Sequence, residues 1–159
     1  PALRLLIGGD QVLLRITPNV SVFPTEPNGN PLAEWMDSNA RLISILPNDL
    51  LVLPAHQSPF TGLHVRLNQI IDGHRRELQA VYEFLTEPKR VVDCFPALFV
   101  RDITNKLLGL ATGETQANLN LLLHRGNITR ERDADGVWWY LQNPDARYID
   151  TDDHAPNAT

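Results

Sequence analysis

Two short apolar runs constrain this chain most, because each ends at a polar residue able to hold a metal. The first is Ala2-Leu3-Arg4-Leu5-Leu6-Ile7-Gly8-Gly9-Asp10. The second is Leu50-Leu51-Val52-Leu53-Pro54-Ala55-His56. Both are four to six largely apolar residues closed by Gly or Pro, too short for a helix and suited to a buried strand. A ligand at a strand end is held by a rigid element while the adjoining loop admits substrate. Carboxylate and neutral imidazole both bind zinc. Taken alone, an Asp after Gly-Gly is more often a turn residue, and a His after a strand more often a surface or hydrogen-bonded group.

The remaining punctuation divides the chain. Leu3 to Ile7 and Val20 to Phe23 read as strands, and Pro24 to Asn30 as a loop. Leu32 to Leu46 reads as an amphipathic helix whose apolar face (Leu32, Trp35, Met36, Leu42, Ile43, Leu46) has a gap at Asn39. From Leu63 to Leu85 apolar residues recur every three or four positions, with His74 on the stripe and Gly73 as its weak point. Val91 to Leu98, bent by Pro96, and Leu107 to His124, capped by Gly126, are further helices. Asp133-Ala134-Asp135-Gly136 then joins two strands into a hairpin. From Asn143 the sequence is polar and reads as a disordered tail.

The sole cysteine, Cys94, excludes an internal disulfide or a cysteine metal cluster. With no signal pattern and no apolar run of about 20 residues, a cytoplasmic protein without a membrane anchor is expected. The net charge of -5 gives no global attraction to phosphate. The chain opens at Pro1 and enters an apolar strand at once. A core strand needs both faces covered, so a fragment is expected.

The succession L-I-G-G-D, I-T-P-N-V-S-V-F-P and L-V-L-P-A-H-Q-S-P-F-T-G-L-H-V-R-L resembles the C-terminal half of a metallo-β-lactamase-fold hydrolase. E-T-Q-A-N-L-N-L-L-L-H-R-G and the D-G-V-W-W-Y hairpin resemble the winged-helix appendage of one branch of that superfamily. The resemblance covers roughly residues 3 to 141. It implies an α+β chain: residues 1–62 from an αββα sandwich, a connecting helix over 63–87, a winged helix over 88–142 and a tail over 143–159.

It also implies a binuclear zinc site in the complete enzyme. Asp10 would bridge the metals and help orient the attacking hydroxide, and His56 would be the last ligand. Most of the other ligands belong to an H-x-H-x-D-H motif, which this sequence lacks; its five histidines are well separated. The expected partners are therefore a missing N-terminal half and, for the parent, a small ester or thioester substrate. This chain by itself is expected to bind zinc weakly and hydrolyse nothing. Phe60 and His64 follow His56 closely and are candidates to line the site.

Two departures from the family pattern stand out: Gln57 replaces the Gly usual after the last ligand, and Glu77 stands where an Arg is usual. The alternative reading is a nucleic-acid or protein-interaction module. Charge argues against nucleic acid, since seven Lys and Arg face seven Asp and Glu between Thr86 and Asn143 and the turn of the hairpin is acidic. Stacking by Trp138, Trp139 and Tyr140 is the contrary signal, though at least one Trp is expected in the core. The exposed edge at Leu3 to Ile7 suits a homodimer.

Overall fold

The computed structural model describes residues 3–148 and 150. Its elements run β1 (Leu5–Gly9), α1 (Pro31–Ile45), β2 (Leu51–Pro54), α2 (Leu63–Phe84), a 3-10 turn (Val91–Cys94), α3 (Phe95–Leu98), α4 (Leu108–His124), β3 (Ile128–Arg132) and β4 (Trp138–Gln142). The chain divides into two compact units: Pro1–Val20 with Ala33–His74, and Ser21–Leu32 with Arg75–Thr159.

In the first unit β1 and β2 pair in parallel, with Leu5 opposite Leu51 and Ile7 opposite Leu53. Parallel neighbours need a crossover, and α1 lies in it. Pro31 suits the first turn of α1, where its missing N–H costs nothing. The core is Val12, Leu50, Val52, Phe60, Leu63, Leu67 and Ile70, with Leu42, Ile43 and Leu46 packed against it. Asn48 accepts from the His64 N–H and so satisfies a free donor at the start of α2.

The second unit is built on α4, of which Ala111, Gly113, Ala117, Leu119, Leu121 and Leu122 are buried. Gly126, at φ 71°, sits in the left-handed region just past its end, as its sequence position suggested. Pro96 falls in the first turn of α3, which it starts rather than breaks. β3 and β4 form the expected antiparallel hairpin, and Lys89 bridges β4 at Tyr140 on the other side.

Three features differ from the sequence reading. Val20 to Phe23 forms no strand; the Val22 N–H donates instead to the Gly113 carbonyl of α4, at 3.0 Å. Neither hairpin tryptophan is core. Tyr140 takes that place at 2% exposure, while Trp138 is 39% exposed. The polar segment folds back as far as Tyr148: Asn143 bonds to Asn127, and Tyr148 lies 4.8 Å from the ring of Tyr82. Residues 149 and 151–159 of the expected tail, including His154, lie outside the described residues. Among the described residues no helix is long and apolar enough to cross a membrane.

Candidate functional site

Because β1 and β2 run in parallel, with a shift of register between Ile7 and Gly9, the residues that follow them emerge at the same end of the sheet. Asp10 follows β1 directly and His56 follows β2 after Ala55. His56 Nε2 lies 3.4 Å from Asp10 Oδ1, and the two side chains are 65% and 59% exposed. Residues 46 positions apart in sequence therefore share one solvent-facing spot.

The backbone beneath them is tightly set. Gly9, at φ 53°, allows the chain to turn out of β1. The Gln11 N–H closes that turn on the Gly8 carbonyl at 3.0 Å, and the Ala55 N–H donates to Gly9 O at 2.9 Å, tying the two strand ends together. Gly8 is needed for a second reason: a Cβ there would sit 3.3 Å from the Val52 side chain.

Three side chains hold the loop after Asp10. Asn39, on α1, accepts from Gln11 Nε2 at 2.8 Å. Gln57 Oε1 accepts from the Arg15 N–H at 2.8 Å. Arg66, on α2, donates to the carbonyls of Leu13 and Ile16, and partial burial pushes its guanidinium down from its ordinary value. Arg66 carried no sequence signal, since nothing local distinguishes it from a solvent-facing helix residue. Asn39 left a trace, as the gap in an apolar stripe.

Gln57 has φ 71°, the left-handed region that glycine occupies without strain. The family's usual Gly thus matches the conformation found, and this chain adopts it with a side chain.

The other named residues are placed elsewhere. Phe60 belongs to the core cluster of the first unit. It is 8% exposed in the apolar core, and it pairs with Val52 through Val52 N–H to Phe60 O (2.8 Å) and Phe60 N–H to Val52 O (3.1 Å). Alternation from that pairing turns its ring inward. His64 bonds through Nε2 to Leu46 O at 2.7 Å, so it attends the loop entering β2 rather than the loop leaving it. His74 is buried on α2 and His124 ends α4. Among the described residues no three His, Cys, Asp or Glu side chains gather as a metal would require.

The β3–β4 hairpin offers a different surface. Arg130 and Arg132 stack on Trp138, 4.3 and 5.6 Å from the ring centre, and Asp133 accepts from Trp139 Nε1 at 2.8 Å. Beside them a cleft of about 350 Å³ is lined by Val91, Val92, Val137, Trp138 and Tyr140, with Arg90 and Gln116 as its polar groups.

Residues 78–143 match the family described as metallo-beta-lactamase-like, C-terminal domain. A beta-lactamase domain protein from Burkholderia ambifaria superposes on 87% of this chain with TM-score 0.82 and 38% identity. The chain resembles the C-terminal half of a metallo-β-lactamase family protein. A metallo-beta-lactamase family protein from Thermus thermophilus shares the fold over 89% of the chain, with TM-score 0.75 and 24% identity. The chain spans 41% of the first structure and 42% of the second. A search of curated proteins finds no match. Asp10 and His56 stand just past the ends of two neighbouring strands.

Proposed function

We propose that Asp10 and His56 form part of a zinc site in a metal-dependent hydrolase of the metallo-β-lactamase superfamily, completed by ligands outside this sequence. The supporting observation is the 3.4 Å between His56 Nε2 and Asp10 Oδ1. Two donors on one tetrahedral zinc, each about 2.0–2.2 Å from it, stand about 3.3–3.5 Å apart. Both donor types fit zinc, and both side chains are accessible to it. Two ligands fall short of the three or four that zinc normally takes, so the chain alone binds the ion weakly and does not catalyse hydrolysis. When bound in a complete site, zinc supplies an activated water and polarises the scissile oxygen. This chain's part is to hold a carboxylate and an imidazole side by side at one sheet end.

Residues 88–142 serve as a winged-helix-like appendage whose exposed face is an interaction surface. The observation favouring protein contact over nucleic acid is the wing itself. Its two arginines already lie on Trp138, Arg90 is paired bidentately with Asp93, and the cleft beside them is mainly apolar.

Calorimetric titration of the chain with zinc, beside Asp10→Ala and His56→Ala, tests the main reading. Weak binding that either substitution abolishes is expected. Sub-micromolar affinity, or binding indifferent to both substitutions, would overturn it.

A further inference from the structure

We propose that Asn39 is a positioning residue for Asp10, acting through Gln11; the inference rests on the reading of Asp10 and His56 as metal ligands. Asn39 occupies a position on α1 where the stripe of Leu32, Met36 and Ile43 calls for an apolar residue, and it is 0% exposed. Its Nδ2 is buried without a hydrogen-bond partner among the described residues. A residue chosen only to fill that space would be Leu, which buries no unsatisfied donor. What Asn contributes instead is one acceptor: Oδ1 takes the Gln11 Nε2 hydrogen bond at 2.8 Å, with Ser38 Oγ a weaker neighbour at 3.5 Å.

Gln11 is the residue after Asp10, and its own N–H closes the turn on Gly8 O. Asn39 therefore fixes the side chain of a residue whose main chain already fixes the turn. Asp10 itself reaches into solvent with its carboxylate beside His56. With a side chain so exposed, the direction of the carboxylate depends on the backbone that carries it. Asn39 ties the side chain of the next residue to the middle of a 15-residue helix, which is the kind of rigid support a ligand needs.

Zinc titration of the chain, followed by the amide signal of Asp10 and the imidazole signals of His56 in NMR spectra, separates this role from a packing role. Asn39→Leu and Gln11→Ala are each expected to weaken zinc binding about tenfold, the lower end of the range for residues that orient a ligand. The pair together should weaken it no further, because they break one contact. The unfolding midpoint of Asn39→Leu should equal or exceed that of the parent chain, which a purely structural role would not allow alongside weaker binding. If both variants bind zinc as the parent does while Asp10→Ala loses it, Asn39 is no positioning residue. If Asp10→Ala itself binds as the parent, the ligand reading has failed and this inference falls with it. Should Asn39→Leu fail to fold, Gln11→Ala, on the loop side of the contact, decides alone.

Discussion

Replacing Gln57 with Gly and with Ala should reverse the usual stability order of those two residues. Gln57 holds φ 71°, where an L-residue crowds its carbonyl at a cost of about 1–2 kcal/mol. Its Oε1 also accepts from the Arg15 N–H at 2.8 Å, a bond that contributes about 0.5–1 kcal/mol at so exposed a place. Gln57→Ala loses the bond and keeps the strain, so a loss of about 0.5–1 kcal/mol is expected. Gln57→Gly loses the bond, sheds the strain, and gives up about 0.5–1 kcal/mol to the freer unfolded chain. These nearly cancel, leaving Gly close to the parent and above Ala by about 0.5–1 kcal/mol. Gly73 is the internal control. It lies within α2 at negative φ, and nothing stands within 4 Å of an added Cβ, so Gly73→Ala should gain about 0.5–1 kcal/mol. Urea unfolding followed by circular dichroism measures all three, and amide exchange at Arg15 should quicken in both Gln57 variants. If Ala proves as stable as Gly at 57 while Gly73→Ala behaves as expected, position 57 is not held left-handed and the account of the loop is wrong.

Other consequences follow from single contacts. A Cβ on Gly113 would meet Ser21 Cβ at 2.9 Å and Val22 O at 3.0 Å, so Gly113→Ala should lose about 1–3 kcal/mol in thermal unfolding; an unchanged melting temperature would mean that Ser21 and Val22 do not rest on α4. Asp133 titrates below the usual carboxylate range because it accepts from the Trp139 indole and then from the Val137 and other turn N–H groups. Its depressed value means that its contribution is present above the ordinary carboxylate range and fades as pH falls through the lower folded value. Trp139 fluorescence should follow that acid step, and Asp133→Asn should remove it. Burial pushes the Cys94 thiol up to about 11, so it should resist iodoacetamide at pH 8 until the protein is unfolded; rapid labelling of the native chain would show that its site opens.

The elements were legible where a local rule sufficed. Run length separated strands from helices at Leu5 and Leu51, a stripe at intervals of three and four marked α2, and Asp-Gly marked the hairpin. The candidate ligands could be read from their strand ends, but their separation could not. It depends on the pairing of Ile7 with Leu53, a long-range register that neither strand encodes by itself. Phe60 misleads for a related reason. It is near His56 in sequence, yet its pairing with Val52 directs it into the core. In the hairpin, alternation correctly places Trp138 and Tyr140 on one face. It does not say which of them meets the helices. Trp138 lies nearer the turn, where two arginines cover it, and Tyr140 lies where Lys89 and Gln116 close around it.

The two residues proposed as ligands are supported from within their own unit. Asn39, Gln57 and Arg66 reach the loop after Asp10 from α1, from the segment after β2 and from α2, and all three belong to the unit that carries Asp10 and His56. A pair of ligands left to the chance of exposed rotamers would lose conformational entropy on meeting a metal, about 0.5–1.5 kcal/mol for each immobilised side chain. Fixing the backbone under Asp10 reduces the part of that loss that comes from the loop, though not the part that comes from the side chains. On the proposed reading, zinc would bind at Asp10 and His56 with no refolding of residues 8–16. Refolding of that loop on zinc binding would show as widespread amide shifts from Leu13 to Ile16. The structure predicts shifts confined to the neighbourhood of Asp10 and His56.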